Sequence, residues 1–102
     1  MEHNKIDILK AKELRGNIIE NLYRLYPQAM TINTLKQLLR YKGYTSETEV
    51  QKAIYYLHGK QYIMLWAEDT EADYWEKEIV LTPMGINLAE GDVDEPGVHL
   101  DV

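Results

Sequence analysis

The sequence predicts an α+β fold of three helices, then a β-hairpin, then a short final helix. Three observations carry that expectation. Between Ile6 and Tyr26, apolar residues recur at intervals of three and four, which is the period of one helix face. Ser46 is followed three residues later by Glu49, the reciprocal box in which each side chain satisfies the other residue's backbone N–H at a helix start. Residues 62–68 and 74–81 are rich in Tyr, Trp, Ile, Leu and Val and are parted by Asp69-Thr70-Glu71-Ala72-Asp73, the composition of two strands and their loop.

In the first helix, Ala11, Leu14, Ile18, Leu22 and Leu25 line the buried face, and Pro27 ends it because a residue before proline is pushed out of the helical region. Met30-Thr31-Ile32 suits a very short strand. Asn33 can cap a second helix that buries Leu35, Leu38 and Leu39 and stops near Gly43. The third helix starts at the Ser46 box, buries Val50, Ala53, Ile54 and Leu57, and meets Gly59 as its left-handed stop.

A hairpin loop centred on Thr70 and Glu71 sets Trp66 opposite Trp75. Tyr62, Met64, Trp66, Trp75, Ile79 and Leu81 then face the helices, and Ile63, Leu65, Ala67 and Val80 face away. The loop lacks the Asn-Gly or Asp-Gly pair that pins a tight turn, so this register rests on the aromatic pair alone. Thr82 as N-cap, Pro83 at the first helical position and Gly91 as stop frame the final helix, Met84 to Glu90. Residues 1–91 are thus expected to form the domain. Residues 92–102 form an acidic tail whose Val98-His99-Leu100-Asp101-Val102 alternation suits an edge strand.

A chain of 102 residues, 45% hydrophobic and 27% charged, has the size and composition of one soluble domain with little room for an enclosed pocket. It holds no cysteine, which excludes disulfides, thiolate nucleophiles and Cys-based zinc sites. No apolar run approaches a membrane span, and MEHNKIDILKAKEL lacks a signal-peptide core, so a cytoplasmic protein without membrane partners is expected. The net charge of -6 hides an asymmetry. Residues 1–62 carry ten Lys and Arg against six acids, whereas residues 63–102 carry Lys77 alone against eleven acids. Each half therefore attracts different partners.

The order helix, short strand, helix, turn, helix, hairpin resembles the winged-helix variant of the helix-turn-helix over roughly residues 8–91. Two stretches carry the resemblance best: Ser46 to Ile63, similar to a recognition helix running into a first wing strand, and Ile79 to Leu88, similar to the exit from the second. Small winged-helix proteins of Mu-like phages and prophages are similar in size and shape. The resemblance implies a DNA-binding transcriptional regulator whose third helix enters the major groove of double-stranded DNA. Many members bind proteins instead, so the fold sets a geometry without setting a ligand.

Projection of the third helix at about 100 degrees per residue puts Thr48, Lys52 and Tyr55 opposite its buried stripe, flanked by Gln51 and Tyr56. Gln and Thr can bond base edges, while Lys and Tyr can reach phosphates. Thr45 and Ser46 at the helix start suit phosphate bonds. Lys36, Arg40 and Lys42 supply basic charge on and after the second helix. Glu47 and Glu49 oppose it, and an ordinary solvated helix face would show the same pattern.

The wing departs from the DNA-binding pattern, because Glu68, Asp69, Glu71, Asp73, Glu76 and Glu78 cluster where a phosphate backbone would be repelled. The alternative is a protein-interaction module in which Glu68, Asp69, Glu71 and Asp73 dock a basic partner. Edge protection by charge explains the same residues. A hairpin apolar on both sides needs a second cover, which makes Ile63, Leu65, Val80, Val98 and Leu100 candidates for a homodimer interface.

Catalysis finds little support. His3, His58 and His99 lack metal-ligand spacing, and His58 suits a helix C-terminus. Asp69, Glu71 and Asp73 alternate like a calcium loop, but Tyr74 stands where that loop needs glycine. No enzyme activity, cofactor or metal is expected.

Overall fold

A computed structural model of the chain describes residues 4–66 and 73–100. The elements are α1 (Lys5–Leu25), β1 (Met30–Thr31), α2 (Ile32–Tyr41), α3 (Glu47–Gly59), β2 (Ile63–Trp66), a 3-10 turn (Tyr74–Glu76), β3 (Glu78–Leu81) and α4 (Pro83–Ala89). The three strands form one antiparallel sheet in the order β1-β3-β2. Helices and sheet enclose a single core, the α+β arrangement of a winged helix. Ile18, Ile19 and Leu22 of α1 meet Ile32, Leu35 and Leu39 of α2, Ile54 and Leu57 of α3, and Ile63, Ile79 and Leu81 of the sheet, all nearly inaccessible to solvent.

Helix starts follow local chemistry. The Asn4 side chain accepts the Ile6 N–H, the Ser46 hydroxyl accepts the Glu49 N–H and the Thr82 hydroxyl accepts the Gly85 N–H. At α2 the cap is Thr31 rather than Asn33. Starting two residues earlier brings Ile32 into the buried stripe with Leu35 and Leu39 and moves Leu38 to the exposed margin. Leu25 is likewise exposed, at the point where α1 ends, and Ile19 takes the buried place.

The ends of α2, α3 and α4 share one geometry. In α3 the Gln61 N–H bonds to the His58 carbonyl and the Tyr62 N–H to the Leu57 carbonyl, the paired bonds of a Schellman cap. That cap needs a left-handed residue, which is Gly43 after α2 and Gly91 after α4. After α3 it is Gln61, at φ 66, and not Gly59, which lies inside the helix.

Sheet register differs most from the sequence expectation. Ile63 pairs with Leu81, Met64 with Val80, Leu65 with Ile79 and Trp66 with Glu78. Trp66 therefore does not face Trp75, which sits in the 3-10 turn with its ring at 90° to that of Tyr74. The offset is three residues, an odd number, so β2 presents the opposite face. Ile63 is buried and Leu65 packs against the core, while Met64 and Trp66 are about half exposed.

These placements draw the candidate dimer residues into the monomer. Ile63 and Val98 belong to the core, Leu65 and Leu100 pack against it, and Val80 is 7% exposed. Described tail residues form no strand. The His99 N–H bonds to the Lys12 carbonyl and the Arg15 guanidinium to the Gly97 carbonyl, so the tail straps α1 instead of a sheet edge. The strap crosses at Gly16, where any Cβ would overlap the His99 carbonyl. Val102 lies outside the described residues.

Candidate nucleic-acid interface

The start of α3 carries two carboxylates, and both are engaged. Glu47 accepts from Lys36 at 3.1 Å. The Lys36 ammonium also lies 4.4 Å from the centre of the Trp75 ring, and its side chain is 14% exposed. Lys36 is thereby held between α2, α3 and the wing base, and its charge is spent within the protein. Glu49 lies 3.5 Å from Lys52, one turn along. Both side chains of that pair are more than half exposed, so it is weak and opens at little cost.

Beyond these pairs, α3 turns a polar row outward. Thr48, Gln51, Lys52 and Tyr55 are exposed, Tyr55 to 83%. Arg40 is exposed on the last turn of α2, and Lys42, Thr45 and Ser46 are exposed on the neighbouring segment between α2 and α3. Eight of the ten residues expected to contact DNA are therefore exposed. Lys36 and Tyr56 are the exceptions. Tyr56 borders the buried stripe, donates its hydroxyl to Glu95 at 3.1 Å and lies 4.0 Å beneath the Arg15 guanidinium.

Two hollows flank the row. One, of about 410 Å³, runs between α3 and the wing and includes Gln51, Ile54, Tyr55, His58, Leu65 and Tyr74. The other, of about 950 Å³, lies between α1 and the turn before α3, where Lys10, Lys42 and Lys52 meet Ile8, Leu14 and Tyr44. On the wing, Asp73, Glu76 and Glu78 are exposed. Glu68, Asp69 and Glu71, the rest of the acidic cluster, lie outside the described residues, as does the hairpin loop.

A second charged centre escaped the sequence reading. The Glu95 carboxylate, 9% exposed, accepts from Tyr62 at 2.9 Å, Tyr56 at 3.1 Å and the Gly97 N–H at 3.1 Å, with the Lys60 ammonium 3.6 Å away. Burial pushes its carboxyl upward, but the Gly97, Tyr62 and Tyr56 hydrogen bonds and Lys60 outweigh that and hold it below the usual value. Burial and the bond to Glu95 push the Tyr62 phenol up to about 12. Only the Pro96-Gly97 turn signal beside Glu95 marked this place in the sequence.

His58 and His99 are exposed and His3 lies outside the described residues. Among the described residues no cluster of His, Asp and Glu could hold a metal ion, and no helix is long and apolar enough to cross a membrane. No protein-family model and no curated protein sequence matches the chain. The fold is similar to the crystal structure of a single-residue mutant of MepR from a multidrug-resistant S. aureus clinical isolate, with a TM-score of 0.60 and 26% identity. The match covers 74% of this chain and 50% of that one, so the chain spans about half the length of MepR.

Proposed function

We propose that the chain is a winged-helix, DNA-binding transcriptional regulator that reads duplex DNA with α3. The observation that carries this is the outward row Thr48, Gln51, Lys52 and Tyr55, beside exposed Arg40 and Lys42, on a helix whose first-turn acids are each paired with lysine. Lys36 offsets the charge of Glu47 at the helix start, and the exposed Glu49–Lys52 pair opens at little cost, which frees Lys52 for a phosphate. Likeness to MepR, a winged-helix transcription regulator, supports the general reading. The likeness to Mu-like phage proteins rests on size and element order alone.

In this reading Gln51 and Thr48 address base edges, Lys52, Arg40 and Lys42 address phosphates, and Thr45 and Ser46 add backbone contacts at the rim. Three cations give weak, salt-sensitive binding, which two copies on one site would strengthen. Since the core takes up the first interface candidates, a dimer would have to use exposed apolar residues elsewhere, among them Ile6 and Leu9 on one face of α1. Fluorescence anisotropy on mixed-sequence duplexes tests the proposal. Binding is expected at low ionic strength and should weaken in Lys52→Ala and Arg40→Ala. Absence of salt-dependent binding by the wild type sinks it.

One observation favours a second reading, docking of a basic protein on the wing. Trp66 is exposed opposite the acidic Glu78, with exposed Met64 beside it, a mix of apolar and charged surface common in interfaces. Neutralising Glu68, Asp69, Glu71 and Asp73 together should then abolish capture of such a partner. Unchanged capture removes the idea.

A further inference from the structure

We infer that the hollow between α3 and the wing is a thymine-reading slot, which takes the 5-methyl groups of A·T pairs while Gln51 bonds the adenine edge. This rests on α3 entering the major groove as proposed above.

The slot is walled by Gln51, Tyr55 and His58 on the helix side and by Leu65 and Tyr74 on the wing side, with Ile54, 1% exposed, as its floor. Its surface is mainly carbon. Thr48 and Lys52 complete the lining, so a phosphate or sugar hydroxyl finds polar partners at the rim, whereas against the Ile54 and Leu65 carbon of the interior it would lose water without gaining any. Among the groups that line a major groove, only the C5-methyl of thymine is apolar.

Gln51 and Tyr55 lie one turn apart, about 6 Å along the helix, close to two base steps of about 3.4 Å. A helix lying along the groove thus meets one pair with the Gln51 amide and a pair one or two steps on with the Tyr55 side of the slot. A glutamine amide matches adenine N6 and N7 in a bidentate fashion. Adenine and thymine being partners in one pair, both contacts select the same pair type.

Charge places the rest. Arg40 and Lys42 are exposed at the end of α2 and Lys52 at the slot's rim, whereas exposed Asp73 adjoins the Tyr74 wall. Phosphates are drawn to the Arg40 side and kept off the wing side, which leaves the slot to base edges.

The test selects sites from randomised duplexes with the full chain at low salt, then replaces their thymines with deoxyuridine, which removes only the methyl group. Selected sites should hold A·T pairs one or two steps apart, and each contacted methyl removed should weaken binding about fourfold. Tyr55→Ala, checked for folding by circular dichroism, should bind thymine and deoxyuridine sites alike, because Tyr55 lies outside the core. Wild-type binding that is indifferent to the methyl, or selected sites without A·T preference, overturns the slot while leaving DNA binding in place. Failure to bind any duplex overturns both.

Discussion

The Glu95 carboxylate accepts the Tyr62 hydroxyl at 2.9 Å and so ties the tail to the start of the wing. Its folded-state pKa is lowered, so the stabilisation is present above the unfolded value near 4.5 and is lost as pH falls through the folded value. Glu95→Gln should cost about 1–3 kcal/mol at neutral pH and flatten the acid limb of stability below about pH 4.5. Urea midpoints across that range measure both effects. A variant as stable as the parent at neutral pH would contradict the role given to this carboxylate.

The Tyr62 phenol carries the opposite sign. With its folded value raised from 10.0 to about 12, the neutral form is favoured in the folded state, and stability declines as pH rises from 10 towards 12. Tyr62→Phe should lessen that decline. An alkaline unfolding profile identical to the parent's would count against it.

Lys36 and Arg40 lie on the same helix but should respond differently. Lys36 is bound by Glu47 and Trp75, so Lys36→Ala should lower stability by up to about 1 kcal/mol and leave the salt slope of duplex binding nearly unchanged. Arg40→Ala should reduce that slope by about one counterion. Equal slope changes in the two variants would mean that Lys36 also reaches phosphate.

Gly16 sits mid-helix, where alanine is normally preferred by about 1 kcal/mol. Here Gly16→Ala should destabilise instead, because the new methyl occupies the place of the His99 carbonyl and lifts the strap from Lys12 and Arg15. A raised melting temperature would show that the tail does not lie on α1.

Gln61 holds the left-handed position after α3 that glycine holds after α2 and α4. Gln61→Gly should stabilise the fold by about 0.5–1 kcal/mol, since a side chain in that conformation costs about 1–2 kcal/mol and glycine returns part of it in chain entropy. Its carbonyl still accepts the Thr82 hydroxyl in the variant. Chemical denaturation reads the difference, and a loss of stability would refute the assignment.

Helices were legible from the chain because their evidence is local. The spacing of Leu14, Ile18 and Leu22, the Ser46 cap and the Thr82-Pro83 start each act within one or two turns, and the structure keeps all of them. The outward row of α3 was legible for the same reason, since burial of Val50, Ala53, Ile54 and Leu57 leaves Thr48, Gln51 and Tyr55 outside. Gly59 misled because the cap's position depends on where Tyr62 can pack, which puts the left-handed residue at Gln61, two positions beyond the glycine.

What tertiary structure alone decided is pairing between distant residues. A hairpin without a specific turn leaves its register to the core, and burial of Ile63 and Leu65 against Leu81 and Ile79 outweighs a Trp66–Trp75 pair. Likewise, nothing local joins Lys36 to Glu47 and Trp75, or Glu95 to Tyr56 and Tyr62. A chain's own order sets the period, charge and caps of each element. Which faces are left to solvent, and which charges are left for a partner, depends on packing between elements far apart in sequence.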